Sequence, residues 1–304
     1  MMRVTESAAI AAFAEAGRGD ERAADQAAVD AMRSALNAVP MKGRVVIGEG
    51  ERDDAPMLFI GEEVGTGEGP EVDLALDPLE GTTLTAKGMD NAITVLSIAP
   101  RGSLLFSPDV YMDKIAIGPG YPEGIISLDR TAGENALDLA QARGVDISLI
   151  TACVLDRPRH EEIIESLRSA GARVRLISDG DIAGVIYTTD PATRIDMYIG
   201  RGGAPEGVIA ASALKCIGGQ MQARLHFRNP EERTRAKKAG ISNFDRLYGL
   251  EDLVSGETVF CATGVTRGGL LDGVITTQGH IETETLMMTS IDGTTRRVRT
   301  KRPV

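Results

Sequence analysis

The residues best equipped for chemistry are Asp77-Pro78-Leu79-Glu80-Gly81-Thr82. Within six positions they bring two carboxylates, a hydroxyl and a glycine. Hard divalent cations take carboxylate oxygens, and a metal-bound water becomes a nucleophile at neutral pH. Gly81 permits a tight turn or a close approach to a ligand. Thr82 opens a short helix-compatible segment, whose free N–H groups would face an anion. This is the equipment of metal-assisted phosphate-ester hydrolysis, although the motif alone also fits an acidic surface turn. Val72 to Leu76 alternates with period two and reads as a strand that delivers Asp77 to its end. Pro78 cannot donate to a ladder, so the strand is expected to stop there.

Further acids surround this motif in the sequence. Gly48-Glu49-Gly50-Glu51-Arg52-Asp53-Asp54 carries four acids in seven positions, after a strand over Arg44 to Ile47. Carboxylates arranged in this way suit Mg²⁺ or Mn²⁺, and equally a solvated charge run. A helix is expected from Ala23 to Ala38, with the apolar stripe Val29, Met32, Leu36 and Val39. Asp25 precedes Val29 by four residues, so it either points inward with the stripe or favours the helix dipole. Tyr111 and Lys114 could hydrogen-bond a phosphate, and equally could be a half-buried tyrosine and a surface lysine. Gly65-Thr66-Gly67-Glu68-Gly69 precedes a strand instead of following one, which excludes a dinucleotide fingerprint.

These residues need elements to position them. An Ala-rich helix is expected over Thr5 to Ala16, and a buried strand over Ala92 to Ala99. Pro56 to Ile60 reads as core. A helix over Thr131 to Arg143 ends at Gly144. Strand and helix then alternate: Leu149 to Leu155, Arg173 to Ile177 and Ile195 to Ile199 are strands, each followed by a turn and a helix. That succession predicts an α/β architecture with a mainly parallel sheet, whose ligands gather beyond the carboxyl ends of the strands. The turns at those ends are Pro158-Arg159-His160, Asp179-Gly180-Asp181 and Gly202-Gly203-Ala204-Pro205-Glu206-Gly207. Two lobes are expected: an α+β lobe over residues 1–144 and an α/β lobe over residues 145–304. Arg296 to Arg302 reads as a short basic tail, solvated or packed against acidic surface.

The 304 residues, 42% of them hydrophobic, suffice for a sizeable core. A formal net charge of −11 argues against nucleic-acid or anionic-membrane partners, so an anionic substrate would need local positive charge or metal. The three cysteines, Cys153, Cys216 and Cys261, lack metal or disulfide spacing and read as reduced, buried thiols. No apolar run approaches a membrane span and no signal-peptide pattern opens the chain, so a cytoplasmic location is expected.

The acidic loop, the D-P-L-E-G-T motif, Pro158-Arg159-His160, Asp179-Gly180-Asp181 and G-G-A-P-E-G occur here in one order. Together they resemble the bacterial class II fructose-1,6-bisphosphatases, some of which also take sedoheptulose 1,7-bisphosphate. The resemblance runs from about Thr5 to Arg297. It places the chain in the wider inositol-monophosphatase-like sugar phosphatase superfamily, with a fold of stacked helix and sheet layers.

The resemblance implies two or more Mg²⁺ or Mn²⁺ ions held by Asp25, Glu49, Asp77, Glu80 and Glu206. Substrate contacts would fall to Glu80, Gly81, Thr82, Tyr111, Pro158, Arg159, His160, Asp179, Gly180, Asp181 and Gly203. It also implies a homodimer or homotetramer. Two positions depart from the family pattern: Glu21 stands where members carry Lys, and Thr83 where some carry Arg. The expected reaction is hydrolysis of the C1 phosphate of fructose 1,6-bisphosphate. Thr82 would orient the attacking water, Glu49 or Asp25 would relay its proton, and Arg159 and His160 would grip the distal phosphate. The alternatives are an inositol- or nucleotide-phosphate phosphatase of the same superfamily, and a non-catalytic sugar-phosphate sensor.

Overall fold

A computed structural model of the chain describes residues 1–50, 57–238 and 240–303. Glu51, Arg52, Asp53, Asp54 and Pro56, named above, lie outside the described residues. The chain forms two compact units, Met1–Leu105 with Gly256–Val304, and Phe106–Ser255.

The first unit opens with helices α1 (Met2–Ala14) and α2 (Glu21–Leu36). The Asp20 side chain caps α2 by accepting from the Ala23 N–H. Strands β1 (Lys42–Ile47), β2 (Glu63–Val64) and β3 (Glu71–Glu80), the short helix α3 (Thr82–Ala86) and strand β4 (Ile93–Pro100) follow. The second unit contains β5 (Tyr111–Ile117), α4 (Ala132–Arg143), β6 (Thr151–Leu155), α5 (Glu161–Ala170), β7 (Arg173–Ile177), α6 (Asp181–Ile186), β8 (Met197–Gly203), α7 (Ala204–Ile217), β9 (Gln220–His226), α8 (Pro230–Lys238), β10 (Leu247–Gly249) and α9 (Leu250–Leu253). The chain then returns to the first unit with β11 (Val259–Gly264), β12 (Ile275–Thr277), β13 (His280–Thr289) and β14 (Thr294–Pro303).

The single boundary expected near Gly144 is replaced by two crossings, at Leu105/Phe106 and Ser255/Gly256. Strand pairing is the reason. β5 joins β8 and β9, whereas β11 completes the first sheet beside β4.

The first sheet runs β12-β13-β11-β4-β3-β1-β2, with β14 on β13. Helices α1 and α2 lie against it, and Val4, Ala8, Ala12, Ala28, Met32 and Leu36 share one core with Val45, Leu74, Leu76 and Leu96. Small alanines allow this close approach of helix to sheet. β3 does not stop at Pro78; it continues to Glu80. The ladder to β4 slips between Asp77 and Glu80, so the missing Pro78 N–H falls where pairing is already interrupted.

The second sheet runs β10-β9-β5-β8-β6-β7. The α/β class holds, but the sheet is mixed: β6 is parallel to β7 and β8, while β5, β9 and β10 pair antiparallel. Ile115 and Ile117 pack with α4 and α5 through Ala136, Leu139 and Leu167. Their neighbours Met112 and Lys114 alternate to the opposite face, where Gly207 of α7 lies directly over them. All three cysteines are free and buried, and burial pushes the Cys153 and Cys261 thiols up to about 12. Among the described residues no helix is long and apolar enough to cross a membrane.

The expected basic tail is strand β14. Its cations pair across the ladder with the acids of β13: Lys301 with Glu282 at 2.9 Å, and Arg299 with Glu284 at 3.2 Å. Arg302 and Thr300 reach Glu6 of α1, which is only 2% exposed. Removing residues 292–304 would therefore strand buried charge on Glu6 and Glu284. The truncated chain is predicted to lose about 3–5 kcal/mol of stability in urea unfolding, where a solvated tail would change nothing.

Candidate active site

In the first unit the acids come from three elements. Asp25 is half-buried on the second turn of α2, Glu49 follows β1, and Asp77 is the last paired residue of β3 before its ladder to β4 slips. Asp25 therefore follows the apolar face, and burial raises its carboxyl above the usual range. Gly48 is required beside Glu49, because a Cβ there would collide with the Leu58 carbonyl oxygen. The Glu49 N–H donates to that same carbonyl at 3.1 Å, which fixes the residue's direction.

The Asp77 carboxylate accepts from the Leu79 N–H at 2.9 Å. The Thr94 hydroxyl donates to the Pro78 carbonyl at 2.9 Å, so the slip in the ladder is pinned. Carboxylate oxygens of Asp77 and Glu80 lie within 4.8 Å of each other. Gly81 has φ +99°, a conformation that glycine adopts without strain, and it hands the chain to Thr82 at the start of α3.

The electrostatics of this group are unusual. Burial, then the charges of Asp77 and Asp25, push the Glu49 carboxyl up to about 8. Three carboxylates close enough to repel, two of them partly desolvated, form a donor set of hard oxygens that fits a divalent cation. A cation would remove the repulsion and take the place of the Glu49 proton.

In the second unit the carboxyl ends of β6, β7 and β8 carry the expected turns. Gly202 and Gly203 are tightly packed. A Cβ on Gly202 would strike the Asp181 carboxylate, and one on Gly203 would strike the carboxylate of Glu206, in the first turn of α7. The glycine pair thus makes room for two acids. Lys114, 1% exposed, is neither the phosphate ligand nor the surface lysine considered above. Its ammonium binds Asp181 and donates to the Gly203 carbonyl at 2.8 Å. Asp179 is half-buried and 3.7 Å from Arg157.

Arg159 is exposed, and its guanidinium donates to the Arg201 carbonyl at 2.9 and 3.1 Å. Its centre sits 5.1 Å from the Tyr111 ring centroid, and that of Arg228 sits 4.7 Å from it. Two cations therefore lie against the ring of Tyr111, which pairs across the ladder with Gly203. Arg228 is held by the buried Glu232 at 2.5 Å, and Arg201 by Asp113 at 2.7 and 3.0 Å. Arg228 escapes the sequence reading because β9 and its His226-Phe227-Arg228 exit are left undescribed there, and Arg201, in β8, is passed over beside the glycine-rich turn. The alternation of Gln220 to His226 was the available signal.

His160 does not have the phosphate-gripping role expected of it. The ring is fully buried. Nδ1–H donates to the Leu155 carbonyl at 2.8 Å, and Nε2 accepts from the Arg201 N–H at 2.8 Å. Burial pushes its pKa below the usual value, so the neutral ring ties the β6 turn to β8. Pro158 is exposed at the start of that turn. Glu21 is the exposed first residue of α2, and Thr83 is half-buried in α3.

The sequence model for bacterial fructose-1,6-bisphosphatase, glpX-encoded, matches residues 1–302 of this chain. The chain belongs to that family. It is a sugar-bisphosphate phosphatase. Proteins named D-fructose 1,6-bisphosphatase class 2/sedoheptulose 1,7-bisphosphatase are similar to it over nearly their whole length. That of Synechocystis sp. (strain ATCC 27184 / PCC 6803 / Kazusa) is 42% identical, over 99% of this chain and 94% of its own. That of Microcystis aeruginosa (strain NIES-843 / IAM M-2473) is 42% identical with the same coverage. That of Synechococcus sp. (strain JA-3-3Ab) is 44% identical over 99% of this chain and 93% of its own. Family membership and the carboxylate group together identify a metal-dependent phosphatase.

Two predictions follow from the geometry. In metal-free protein the folded pKa of Glu49, about 8, lies above its unfolded value of 4.5. The folded state therefore keeps a proton that the unfolded chain has released. Stability contributed by this group falls as pH rises from 4.5 to about 8, and the full cost is present above that. Thermal unfolding in chelator should show this slope, and Glu49→Gln should flatten it. Gly203→Ala should displace Glu206 and cost about 1–3 kcal/mol in urea unfolding, as overpacking does.

Proposed function

We propose that this enzyme hydrolyses the C1 phosphate of fructose 1,6-bisphosphate to fructose 6-phosphate and inorganic phosphate. Sedoheptulose 1,7-bisphosphate would be a second substrate, in line with the names of the relatives. The observation that carries the metal-assisted reading is the mutual repulsion of Asp25, Glu49 and Asp77. Asp25, Glu49, Asp77, Glu80 and Glu206 would hold two or more Mg²⁺ or Mn²⁺ ions. Such ions, when bound, supply a Lewis acid for the phosphoryl oxygen and an activated water.

The chain's own residues would do the rest. The Thr82 hydroxyl orients the attacking water, and Glu49 or Asp25 takes its proton onward. Gly81, with no side chain, leaves space for the reacting phosphate. Arg159 carries the grip on the distal phosphate, and Arg228, also against the Tyr111 ring, takes the place that His160 does not fill. Asp179, Gly180, Asp181 and Gly203 bind sugar hydroxyls, with Lys114 holding the Asp181 carboxylate in place. Pro158 shapes the turn that presents Arg159. The enzyme would act in the cytoplasm as a homodimer or homotetramer.

The test is phosphate release by metal-stripped protein with Mg²⁺ or Mn²⁺ added back, on both bisphosphates and on inositol 1-phosphate. Metal-dependent release from a bisphosphate is expected. Thr82→Ala should lower kcat about 10²-fold or more, and Arg159→Gln should chiefly raise KM. Release from inositol 1-phosphate alone would contradict the proposal, as would undiminished turnover by Asp77→Ala.

A further inference from the structure

The second unit has a cavity of ≈ 490 Å³ lined by residues that the reaction does not use. It opens where β6 and β7 begin, at Thr151 and Arg173. The turns assigned to the sugar phosphate leave the other ends of the same two parallel strands. Five residues separate the two ends, on the order of 15 Å.

The lining chemistry is specific. Arg143, Arg173 and Arg194 face the cavity, against one acid, Asp196. This is a cationic pocket on a chain whose net charge is −11. Arg143 is held by Asp196, whose other oxygen accepts from the Thr151 N–H at 2.8 Å. Arg173 and Arg194 have no ion pair or hydrogen bond from their guanidinium groups among the described residues. Arg194 also adopts φ +58°, a left-handed conformation that glycine or asparagine would take with less strain. Tyr121, hydrogen-bonded to Arg143, and Leu149 also line the cavity; Leu149 is 50% exposed, one of the large apolar side chains left uncovered. Planar guanidinium forks suit the oxygens of a phosphate, and an uncovered leucine beside a tyrosine suits an apolar body attached to it.

We propose that this cavity is a second ligand site, remote from the reacting phosphate, for a small organic phosphate with an apolar moiety. Arg173 and Arg194 clamp the phosphate, Arg143 adds to the field from its fixed position, and Leu149 with Tyr121 covers the apolar part. The proposal does not depend on which sugar bisphosphate is hydrolysed.

The probe is phenylphosphonate, whose C–P bond a phosphatase does not hydrolyse, titrated calorimetrically into the full-length metal-stripped chain. Wild type and Arg159→Gln should both bind it at this site with similar affinity. Arg173→Gln/Arg194→Gln should bind at least tenfold more weakly while keeping wild-type turnover on the bisphosphate. Methylphosphonate, which lacks the ring, should bind several-fold more weakly than phenylphosphonate to wild type. If the double variant loses turnover or unfolds early, Leu149→Asp, on an exposed position, should abolish binding by placing a carboxylate beside the anion. Three results would overturn the proposal: no saturable binding by wild type, wild-type affinity in the cavity variant, or loss of binding in Arg159→Gln.

Discussion

Everything in the first unit answers to one constraint: three carboxylates from separate elements are held where they repel one another. Left to itself the chain would relax such a cluster by turning the acids to water. Three features prevent that. The α2 stripe buries Val29, Met32 and Leu36, and so carries Asp25 with it. The contact of Gly48 with the Leu58 carbonyl fixes the start of the Glu49 loop. The slip in the β3–β4 ladder sets Asp77 and Glu80, with the Leu79 N–H donating to the Asp77 carboxylate and the Thr94 hydroxyl donating to the Pro78 carbonyl. The raised Glu49 pKa is the cost of that arrangement, and a divalent cation is the natural compensation.

The second unit solves a related problem by a different route. Asp181 and Glu206 sit against the backbone of Gly202 and Gly203, where any side chain would exclude them. The buried Lys114 balances Asp181, so one carboxylate is neutralised inside the protein. An ammonium and a carboxylate so deeply buried contribute little net stability, but removing either partner would leave the other unpaired. Arg159, Tyr111 and Arg228 then form an exposed cationic rim, secured by Arg201 O and Glu232. Positioning here comes from buried ion pairs and glycines, and the arginines of the rim stay exposed.

Much of this was legible in the sequence because it is local. The strand Arg173–Ile177 and the helix closed by Gly144 follow from short-range pattern and punctuation. The spacing of Asp25 to Val29 leaves two readings, inward with the stripe or favouring the helix dipole, and its partial burial is what separates them. What was not legible depends on long-range pairing. Nothing near Gly144 says that β5 joins β8 and β9, or that β11–β14 return to the first sheet. The alternating cations of β14 look like a solvated tail until the alternating acids of β13 are set beside them. The roles of His160 and Lys114 are hidden from the sequence for the same reason. Their partners, Arg201, Asp181 and Gly203, are 41 to 89 positions away along the chain. Pro78 looks like a stop in the sequence because a bulge that tolerates proline is invisible without the partner strand.

The measurement that tests this account most directly is calorimetric titration of Mn²⁺ into metal-stripped protein at pH 7, repeated in two buffers of different ionisation enthalpy. A carboxyl with a pKa of about 8 is mostly protonated at that pH and must give up its proton to a cation. The account predicts saturable binding with release of on the order of one proton per chain, and loss of that release in Glu49→Gln. Binding with no proton release, or release unchanged in Glu49→Gln, would contradict it.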